Sequence, residues 1–514
     1  MHISVFMHKI HSKWTVCSNK ERKKDTFCVK NELIIKSVCD MITRDKKHYI
    51  DARRWEDCFM GTRRYELDMS QGSILKSMVR FVLPLILTNV LQILYNAADL
   101  VVVSRWTGSE AMASVGATSS LTALFTNIFI GFSLGAGIVV SRKFGARDNE
   151  GIHRAVHTAI LLSLLVGFIA FLLGMFLSRP LLLLMETPKG TVLNGAVLYM
   201  KILAIGMPAS LIYNFGASIL RALGDTKRPL YILGFSGVIN VLLNLLLVIK
   251  FHLGVAGVAI ATVVAHYLSM FAVLYALMGS EGAYRLVLKE LRFYKKELFD
   301  IISVGIPAGV QSSFFSLSNM VIQSAVNSFG TAAIVGGTAA SNIENFVYTA
   351  MNAFYQATIT AISQNYGAKN EKRVYQSIYI PAICAAVVGF VLGLLVIIFA
   401  DPLLKIYITD SPEAMEYGFI KMLYMGVPYF FCGIMEVLVG ALRGFGYSTV
   451  SAINSLVGAC GLRIFWVKFI LPLHRTIGFL YLSWPVSWVL VILANLTTLF
   501  IIRKRVIKRM YEAE

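Results

Sequence analysis

Long runs of apolar residues separated by short polar connections dominate the chain. A helix needs about 20 apolar residues to cross a bilayer, and runs of that size lie near 78–103, 111–141, 155–177, 195–219, 229–250, 254–278, 298–328, 332–362, 377–400, 417–441, 449–471 and 476–502. No stretch shows the short alternating segments of about 10 residues that are typical of membrane β-strands. The pattern therefore predicts an all-α polytopic membrane protein with twelve transmembrane helices.

The second half of the chain repeats the first. Residues 141–147 recur at 363–369 and residues 220–224 at 442–446, both at an offset of 222, and Pro84 has a counterpart at Pro307. A tandem repeat in an apolar chain is typical of transporters built from two like helix bundles. We therefore predict two pseudo-symmetric six-helix lobes, 70–290 with helices 1–6 and 291–502 with helices 7–12, and a basic cytoplasmic tail at 503–514.

Composition and charge agree with a membrane protein. Hydrophobic residues make up 56% of the chain and the mean hydropathy is +0.66, more apolar surface than a soluble core could hide. The net charge is +19, and the basic residues are unevenly distributed. The connections after even-numbered helices, together with the C-terminal tail, carry about three times as many Lys and Arg as the connections after odd-numbered helices. We expect both termini in the cytoplasm, a multi-pass position in the cell (plasma) membrane, and the lipid bilayer rather than nucleic acid as the partner of these charges.

The first 69 residues differ from the rest. They are polar, rich in Lys and Arg, and lack the apolar stretch of a secretory signal. We interpret them as a disordered extension or as the result of a translation start placed too far upstream. A zinc module is the alternative, but Cys17, Cys28, Cys39 and Cys58 lack the paired spacing of such modules.

A carboxylate within the first helix is the foremost candidate for chemistry. Gln92, Tyr95, Asn96 and Asp99 follow helical spacing and share one face. An ionised carboxylate at mid-helix costs about 2.5 to 3.5 kcal/mol on insertion scales, so it normally faces an aqueous cavity. Pro84 interrupts the hydrogen bonds of the same helix, as in helices that line a pathway. We expect this face to line the transport pathway.

Helices 5 and 6 offer complementary oxygen ligands. Asn240 and Asn244 are an i, i+4 pair, and Thr262 lies partway along helix 6. Together with Asp99 they would supply the hard oxygen ligands of a small cation such as Na⁺. The two asparagines fit interhelical hydrogen bonding equally well, and the pattern leaves both interpretations open.

Other polar and adaptable side chains are weaker candidates. Glu344 and Glu436 could couple to a cation, shape a site for a cationic substrate, or form structural pairs with Arg463. His266 could relay protons or be a packed histidine. Met207 and Tyr355 belong to a set of Met and aromatic side chains that suit promiscuous binding, although such residues also face lipid or neighbouring helices.

Four segments resemble one known family. Residues 92–108 (QILYNAADLVVVSRWTG), 141–149 (SRKFGARDN), their repeat at 363–370 (SQNYGAKN) and 220–229 (LRALGDTKRP) are similar to multidrug and toxic compound extrusion (MATE) transporters, and the likeness runs in order over 75–500. The resemblance implies a V-shaped pair of six-helix lobes that expels organic cations in exchange for Na⁺ or H⁺.

The resemblance also implies roles for single residues. Pro84 and Gln92 match the bent first helix, and Asp99 matches the coupling aspartate. Asn240 matches an asparagine of prokaryotic members, whereas Asn244 replaces their acid. Thr262 matches a threonine near the cation. Because one carboxylate supports Na⁺ less well than two, the resemblance ranks H⁺ slightly above Na⁺.

The sequence therefore predicts a secondary active transporter that exports lipophilic organic cations or drugs in antiport with H⁺ or Na⁺. We expect a monomer that is not an enzyme and has no cofactor besides the coupling ion. One alternative is a flippase of lipid-linked oligosaccharides from the same superfamily, which would line its cavity with several cationic residues for the pyrophosphate. The other is a membrane-embedded enzyme, which would need a polar catalytic cluster on a long loop, whereas the loops are short.

Overall fold

The computed structural model describes residues 65–107, 109–185, 187–408 and 411–512. All the described residues belong to one compact unit of the chain. These residues form helices and no strand. The predicted extension lies almost wholly outside the described residues, which take in only its last five positions, 65–69.

The helices follow one another with short connections. In chain order they are α1 (Ile74–Trp106), α2 (Ser109–Gly145), α3 (Asn149–Leu184), α4 (Thr191–Ala222), α5 (Lys227–Leu245), α6 (Gly254–Met278), α7 (Lys295–Asn327), α8 (Thr331–Gly367), α9 (Glu371–Ile398), α10 (Ala400–Lys405), α11 (Pro412–Gly426), α12 (Tyr429–Gly444), α13 (Ser448–Ser455), α14 (Leu462–Phe465), α15 (Ile477–Tyr481) and α16 (Ser483–Glu512). Turns of π-helix extend α5 at Leu246–Lys250 and flank α14 at Leu456–Gly461 and Trp466–Ile470. The predicted tail continues α16 as far as Glu512.

The number of membrane-spanning helices is close to the twelve expected. Ten helices of the described residues are long and apolar enough to cross a bilayer, and the pair α11 and α12, bent by 49°, makes an eleventh when taken as one span. The remaining predicted segment is α8, which has 37 residues. It is less apolar than the others because it carries Glu344 and many Thr, Ser, Asn and Gln side chains. Seven of these polar side chains are buried inside the protein, and they are Glu344, Thr349, Thr358, Thr360, Ser363, Gln364 and Asn365.

The sequence repeat is also a structural repeat. The bounds of α2 and α8 are 222 residues apart at both ends. Arg147 (φ 59°) and Lys369 (φ 54°) share the same unusual left-handed backbone after these helices. The next residues cap the following helices, since Asp148 accepts a hydrogen bond from a backbone amide of α3 and Asn370 accepts one from a backbone amide of α9. The N-lobe (α1–α6) and the C-lobe (α7–α16) therefore share the same helix bounds, backbone turn and helix cap at these repeated positions.

The lobes pack closely along α2 and α7. A β-carbon at Gly131 would lie 2.4 Å from the backbone nitrogen of Gly309, so the two backbones cross where neither carries a side chain. The ends of α2 and α8 meet in the same way, since a β-carbon at Gly145 would lie 1.9 Å from the carbonyl of Gln364. We call this end of the molecule, formed by residues 67–72, 142–148, 222–228, 364–373 and 444–448, the closed end.

Candidate functional site

The structure brings the four predicted cation-coupling residues together from three helices. The Asn244 amide of α5 donates hydrogen bonds to the Asp99 carboxylate of α1 and, at 3.3 Å, to Oδ1 of Asn240. The Asn240 amide donates to the Thr262 hydroxyl of α6 at 3.4 Å. These side chains form one connected polar cluster inside the N-lobe, which we call the Asp99 cluster.

One atom of this cluster lacks a partner. Asn244 is fully buried and Asn240 nearly so, while Asp99 is half-buried. The side-chain oxygen of Asn244 is buried and accepts no hydrogen bond within the described residues. An unused buried acceptor is unusual, because such groups normally find a donor or a cation. The cluster therefore has the capacity to accept a proton or a small cation beside the carboxylate.

Tyr95 and Gly237 set the position of Asp99. Tyr95 lies one helical turn before Asp99, and its hydroxyl donates to the carbonyl of Gly234 on α5 at 3.0 Å. The ring covers Gly237, where a β-carbon would lie 1.9 Å from a ring carbon. This contact holds α1 against α5, so that Asp99 meets Asn244 two turns beyond Gly237. The π-helical turn Leu246–Lys250 follows at once, and such turns are frequent at functional sites.

The rest of the predicted α1 face is more open. Gln92 and Asn96 are exposed, and Tyr95 is half-buried. Pro84 lies inside a continuous helix, where the Thr88 hydroxyl donates to the Pro84 carbonyl at 2.7 Å. The assignment of these residues to a transport pathway stays a prediction.

Two candidates on α4 and α6 lie in packed surroundings. His266 lies against Gly206 of α4, and its Nδ1 atom has no hydrogen-bond partner within the described residues. Met207 lies against Gly174 of α3. The proposed contact of Met207 with substrate stays a prediction.

A second polar site lies in the C-lobe. A cavity of about 560 Å³ is lined from α7, α8, α11, α12, α14, α15 and α16, and we call it the C-lobe cavity. Its charged lining residues are Glu344, Lys421, Glu436 and Arg463. Asn127 of α2 also lines it and donates to the Ser316 hydroxyl at 3.4 Å, so the cavity reaches the boundary between the lobes.

The carboxylates of this cavity have partners other than Arg463, so of the three alternatives the structural pairing with Arg463 is absent from the described residues. Glu344 forms an ion pair with Lys421, with Nζ 3.5 Å from Oε2. Glu436 accepts a hydrogen bond from the Tyr348 hydroxyl at 3.5 Å. The Arg463 Nε donates to the Ser487 hydroxyl at 3.1 Å. Glu344 pairs with Lys421 because α11, which carries Lys421, packs beside α8, which carries Glu344.

Sequence reasoning missed the roles of two buried bases. Lys421 is ambiguous in the sequence because it stands at a segment start, yet it is 6% exposed and lines the C-lobe cavity. Arg443 is also buried and donates to the Tyr355 hydroxyl and, at 2.7 Å, to Gln311. The sequence did hold one signal for these two bases: the repeat places a basic residue at each of the corresponding N-lobe positions, Lys201 and Arg221. Tyr355 is thus a partner of Arg443, and its predicted contact with substrate stays untested.

One cluster has the residue types of a metal site but not the free ligand atoms. His153, His157 and Glu290 lie close together, and His153 pairs with Glu290 at 2.8 Å. Both ring nitrogens of His157 are engaged, Nδ1 with the His153 carbonyl at 2.8 Å and Nε2 with the Val287 amide at 3.1 Å. Because the Nε2 lone pair accepts that amide, none remains for a metal.

Comparison with known proteins gives a consistent result. The MatE family model matches residues 84–246 and 307–467. The probable multidrug resistance protein YpnP of Bacillus subtilis (strain 168) is 28% identical over 402 residues, 78% of this chain and 88% of that relative. The FAD transporter of Shewanella oneidensis is 26% identical over 365 residues, 68% of this chain and 78% of that protein. The solved structure described as "Outward-facing conformation of a multidrug resistance MATE family transporter of the MOP superfamily" has a TM-score of 0.78 at 21% identity, covering 86% of this chain and 98% of that chain.

Proposed function

Since the chain belongs to the MatE family of multidrug and toxic compound extrusion transporters, we propose that it exports small organic molecules, lipophilic cations foremost, in exchange for a cation bound at Asp99. The observation that carries the proposal is the Asp99 cluster, with its carboxylate beside a buried acceptor that has no partner among the described residues. The name of the Bacillus relative, a probable multidrug resistance protein, supports the choice of substrate class.

The cluster can satisfy both protonation states of Asp99. The ionised carboxylate accepts the hydrogen bond that Asn244 donates. A protonated carboxyl needs an acceptor, and the unpartnered oxygen of Asn244 belongs to the same amide. A rotation of that amide pairs the acid with this oxygen. The acidic proton then has an acceptor, while Asn240 gives up the amide hydrogen bond that it accepts in the ionised state.

A sodium ion is the second candidate for the coupling ion. Asp99, Asn240, Asn244 and Thr262 would hold it through four side-chain oxygens, which are suitable ligands for a hard cation. Only one of these four residues is an acid, so the ion's charge meets a single carboxylate. We therefore rank H⁺ above Na⁺ for this chain.

Coupling follows if the two end states of the transporter differ in their affinity for the ion. Ion binding at Asp99 favours one packing of α1 against α5, and substrate binding favours the other. A membrane potential of 100 mV adds about 2.3 kcal/mol for each charge moved across the membrane. With both termini in the cytoplasm, the closed end faces inward and substrate leaves from the opposite end. We propose that a single chain in the plasma membrane carries out this cycle.

The test is transport by the Asp99→Asn variant in proteoliposomes. We expect efflux of a cationic dye to lose its dependence on a proton or sodium gradient, because the amide cannot exchange a proton or neutralise Na⁺. Asp401→Asn is the matched control, since Asp401 is exposed and its one ion-pair partner within the described residues is Lys405, one turn later. Gradient-driven efflux that is unchanged in Asp99→Asn would refute the proposal.

The flippase and enzyme alternatives gain no specific support. The C-lobe cavity holds as many acids as bases, whereas a pyrophosphate group would call for a cationic excess. The described connections between helices are short and leave little room for a catalytic loop. Gradient-dependent export of a dye would exclude the enzyme.

A further inference from the structure

A second large cavity lies at the closed end, between the two lobes. It has a volume of about 730 Å³, and we call it the closed-end cavity. One wall is the turn after α2 (145–148), and another is the repeated turn after α8 (367–369). The turns touch, since a β-carbon at Gly367 would lie 2.0 Å from the Arg142 carbonyl. Because each turn belongs to a different lobe, the cavity keeps this shape only while the lobes stay together at this end.

The lining of the closed-end cavity is basic. Its charged members are four bases and one acid, namely Arg142, Lys143, Arg147, Lys369 and Asp148. Two of the bases form ion pairs, since Lys143 pairs with Asp148 at 2.8 Å and Arg147 pairs with Asp68 beside the cavity. Arg142 brings a further positive charge from the N-lobe, and Lys369 brings one from the C-lobe.

Arg142 has donor capacity that the protein does not use. Its Nη2 group donates to the Gly444 carbonyl of the C-lobe at 3.3 Å, and its guanidinium carbon lies 5.0 Å from the centre of the Tyr366 ring. The Nε atom is buried and has no acceptor within the described residues. Asp300 of α7 faces Arg142 from beyond ion-pairing distance and is shared with Lys296. A buried donor without a partner is unusual, so this guanidinium is suited to an anion from outside the chain.

The surroundings balance three of the four bases. Both α2 and α8 end at the cavity, and each helix C-terminus carries about half a negative charge, so together they balance about one base. Asp148 balances a second base. Asp68 balances at most a third, since it is shared between Arg147 and Arg373. The positive charge at the cavity therefore exceeds what the helix ends and the neighbouring acids require.

An apolar groove begins beside the cavity. Met510 of α16 lines both the closed-end cavity and a narrow groove between α9 and α16. The other lining residues of the groove are mostly apolar, among them Val374, Ile378, Leu499 and Val506. With the closed end on the cytoplasmic side, this region faces the inner leaflet, which carries anionic phospholipids. A phospholipid with its phosphate in the cavity would find contact for an acyl chain in the groove.

We propose that the closed-end cavity binds a phosphate group, carried by an anionic phospholipid or by a soluble phosphate, and that the bound group holds the lobes together at this end. Arg142 of the N-lobe and Lys369 of the C-lobe donate to its oxygens. The positive charges of the two turns repel each other across the boundary, and the phosphate attracts both. The inference goes beyond the proposed export function, because it adds a regulatory ligand at a place apart from the Asp99 cluster.

The opening of the closed end provides the test. Ala222 is buried there, so in an Ala222→Cys variant without the native cysteines a thiol reagent labels the new cysteine only when this end opens. The full-length protein is placed in nanodiscs of phosphatidylcholine, with or without anionic phosphatidylglycerol. We expect phosphatidylglycerol to slow labelling about tenfold, the effect of a charged hydrogen-bonded pair. Slowing by inorganic phosphate in phosphatidylcholine nanodiscs, against chloride at equal ionic strength, would identify a soluble phosphate as the ligand.

Variants separate the site from the general effect of an anionic membrane. Arg142→Gln and Lys369→Gln should each lose most of the slowing, and Arg142→Lys should keep part of it because the charge remains without the paired donors. Lys372→Gln is the matched control, since Lys372 is exposed and lies outside the lining, and it should behave like the wild type. Each variant is compared with and without the anion, so a change in its own opening rate cancels. Lys369 is exposed, so Lys369→Gln keeps the test decisive if Arg142→Gln does not fold.

Two outcomes overturn the inference. One is wild-type labelling that neither source of phosphate slows, and the other is a folded Arg142 or Lys369 variant that keeps the full slowing. The labelling assay needs neither substrate nor gradient, so its result is independent of the proposed export function. If Asp99→Asn leaves gradient-driven efflux unchanged while phosphate still slows labelling, the export mechanism fails and the phosphate site stands.

Discussion

Tyr95 lies over Gly237 so closely that no β-carbon fits between them. A β-carbon at Gly237 would be 1.9 Å from the Tyr95 ring, and the Tyr95 hydroxyl donates to the Gly234 carbonyl at 3.0 Å. This contact fixes the spacing between α1 and α5 beside the Asp99 cluster. The mutual position of Asp99 and Asn244 therefore depends on a residue with no side chain of its own.

The first prediction concerns this contact. Gly237→Ala should force the Tyr95 ring away and separate Asp99 from Asn244, because overpacking of this kind costs about 1 to 3 kcal/mol. We expect gradient-driven efflux to fall about tenfold or more, while the protein still inserts and folds. Transport in proteoliposomes, normalised to the amount of reconstituted protein, measures the effect.

Gly234→Ala is the matched control on the same helix. A β-carbon there would lie 3.9 Å from Leu91, which is ordinary contact, and the backbone carbonyl that accepts from Tyr95 is unchanged. This variant should transport like the wild type. Equal activity of both variants would show that the Tyr95 contact does not position Asp99.

The second prediction concerns the acid that family members carry in place of Asn244. Asn244→Asp places a second carboxylate beside Asp99 and the oxygens of Asn240 and Thr262, so the cluster should bind Na⁺ more tightly. At a Na⁺ concentration ten times the dissociation constant, the folded state gains about 1.4 kcal/mol. Thermal unfolding of the purified variant should shift upward in NaCl relative to KCl at equal ionic strength.

Asn194→Asp is the control for this change, since it adds the same charge at an exposed position of α4. It should show no difference between the two salts. If Asn244→Asp likewise responds equally to Na⁺ and K⁺, the four oxygens of the cluster do not form a sodium site.

The Asp99 cluster was predictable because helical spacing is local. Residues three, four and seven apart share a face whatever the rest of the fold does, so Tyr95 and Asp99 could be grouped from the sequence alone. Helices α5 and α6 were singled out by the oxygen ligands that Asn240, Asn244 and Thr262 offer, and the likeness to known transporters pointed to the same residues; the hydrogen bonds join them to Asp99 and to one another. The close contact at Gly237 gave no sequence signal beyond a glycine in a helix.

The C-lobe cavity was not predictable in the same way. Glu344 pairs with Lys421 because α11 packs against α8, and that neighbour depends on the tertiary arrangement. The break between α11 and α12 puts Lys421 and Glu436 on two helices that differ in direction by 49°. A sequence pattern cannot assign partners across such a bend. For this reason the sequence left the partners of Glu344 and Glu436 open among three alternatives and did not name Lys421 as one of them.

The third prediction concerns the buried ion pair of the C-lobe. Lys421→Met should destabilise the protein by about 3 to 5 kcal/mol, because Glu344 is left as a buried charge without compensation. The double variant Lys421→Met with Glu344→Met should recover most of this loss, since an apolar pair replaces both charges. Thermal or denaturant unfolding in detergent measures each variant.

Lys201→Met is the matched control, because Lys201 is the exposed counterpart of Lys421 in the N-lobe. Its substitution should change stability by only a few tenths of a kcal/mol. A double variant as unstable as Lys421→Met alone would mean that Lys421 acts through its other two partners rather than through Glu344.

The fourth prediction concerns residues 67–72, a segment that we call the strap, which binds both lobes at the closed end. Leu67 donates its backbone amide to the Leu223 carbonyl of the N-lobe at 3.1 Å. On the C-lobe side, Arg373 donates to three strap carbonyls, those of Met69 at 2.7 Å, Gly72 at 2.8 Å and Gln71 at 3.1 Å. The lobes cannot separate at this end unless the strap leaves one of them.

Arg373→Ala removes these donors and should therefore favour the state that is open at this end. We expect a shift of about 2 kcal/mol, the lower range for hydrogen bonds from a charged group, which raises the open population more than tenfold.

The readout is the rate at which a thiol reagent labels a cysteine at Ala222, in a background where the native cysteines are replaced. Ala222 is buried, and its carbonyl accepts from Gln364 of the other lobe at 2.9 Å, so it becomes accessible only when this end opens. Lys372→Ala is the control, because Lys372 lies one position earlier and is exposed, and it should leave the labelling rate unchanged. Equal labelling rates for Arg373→Ala and Lys372→Ala would show that the strap does not hold this end closed.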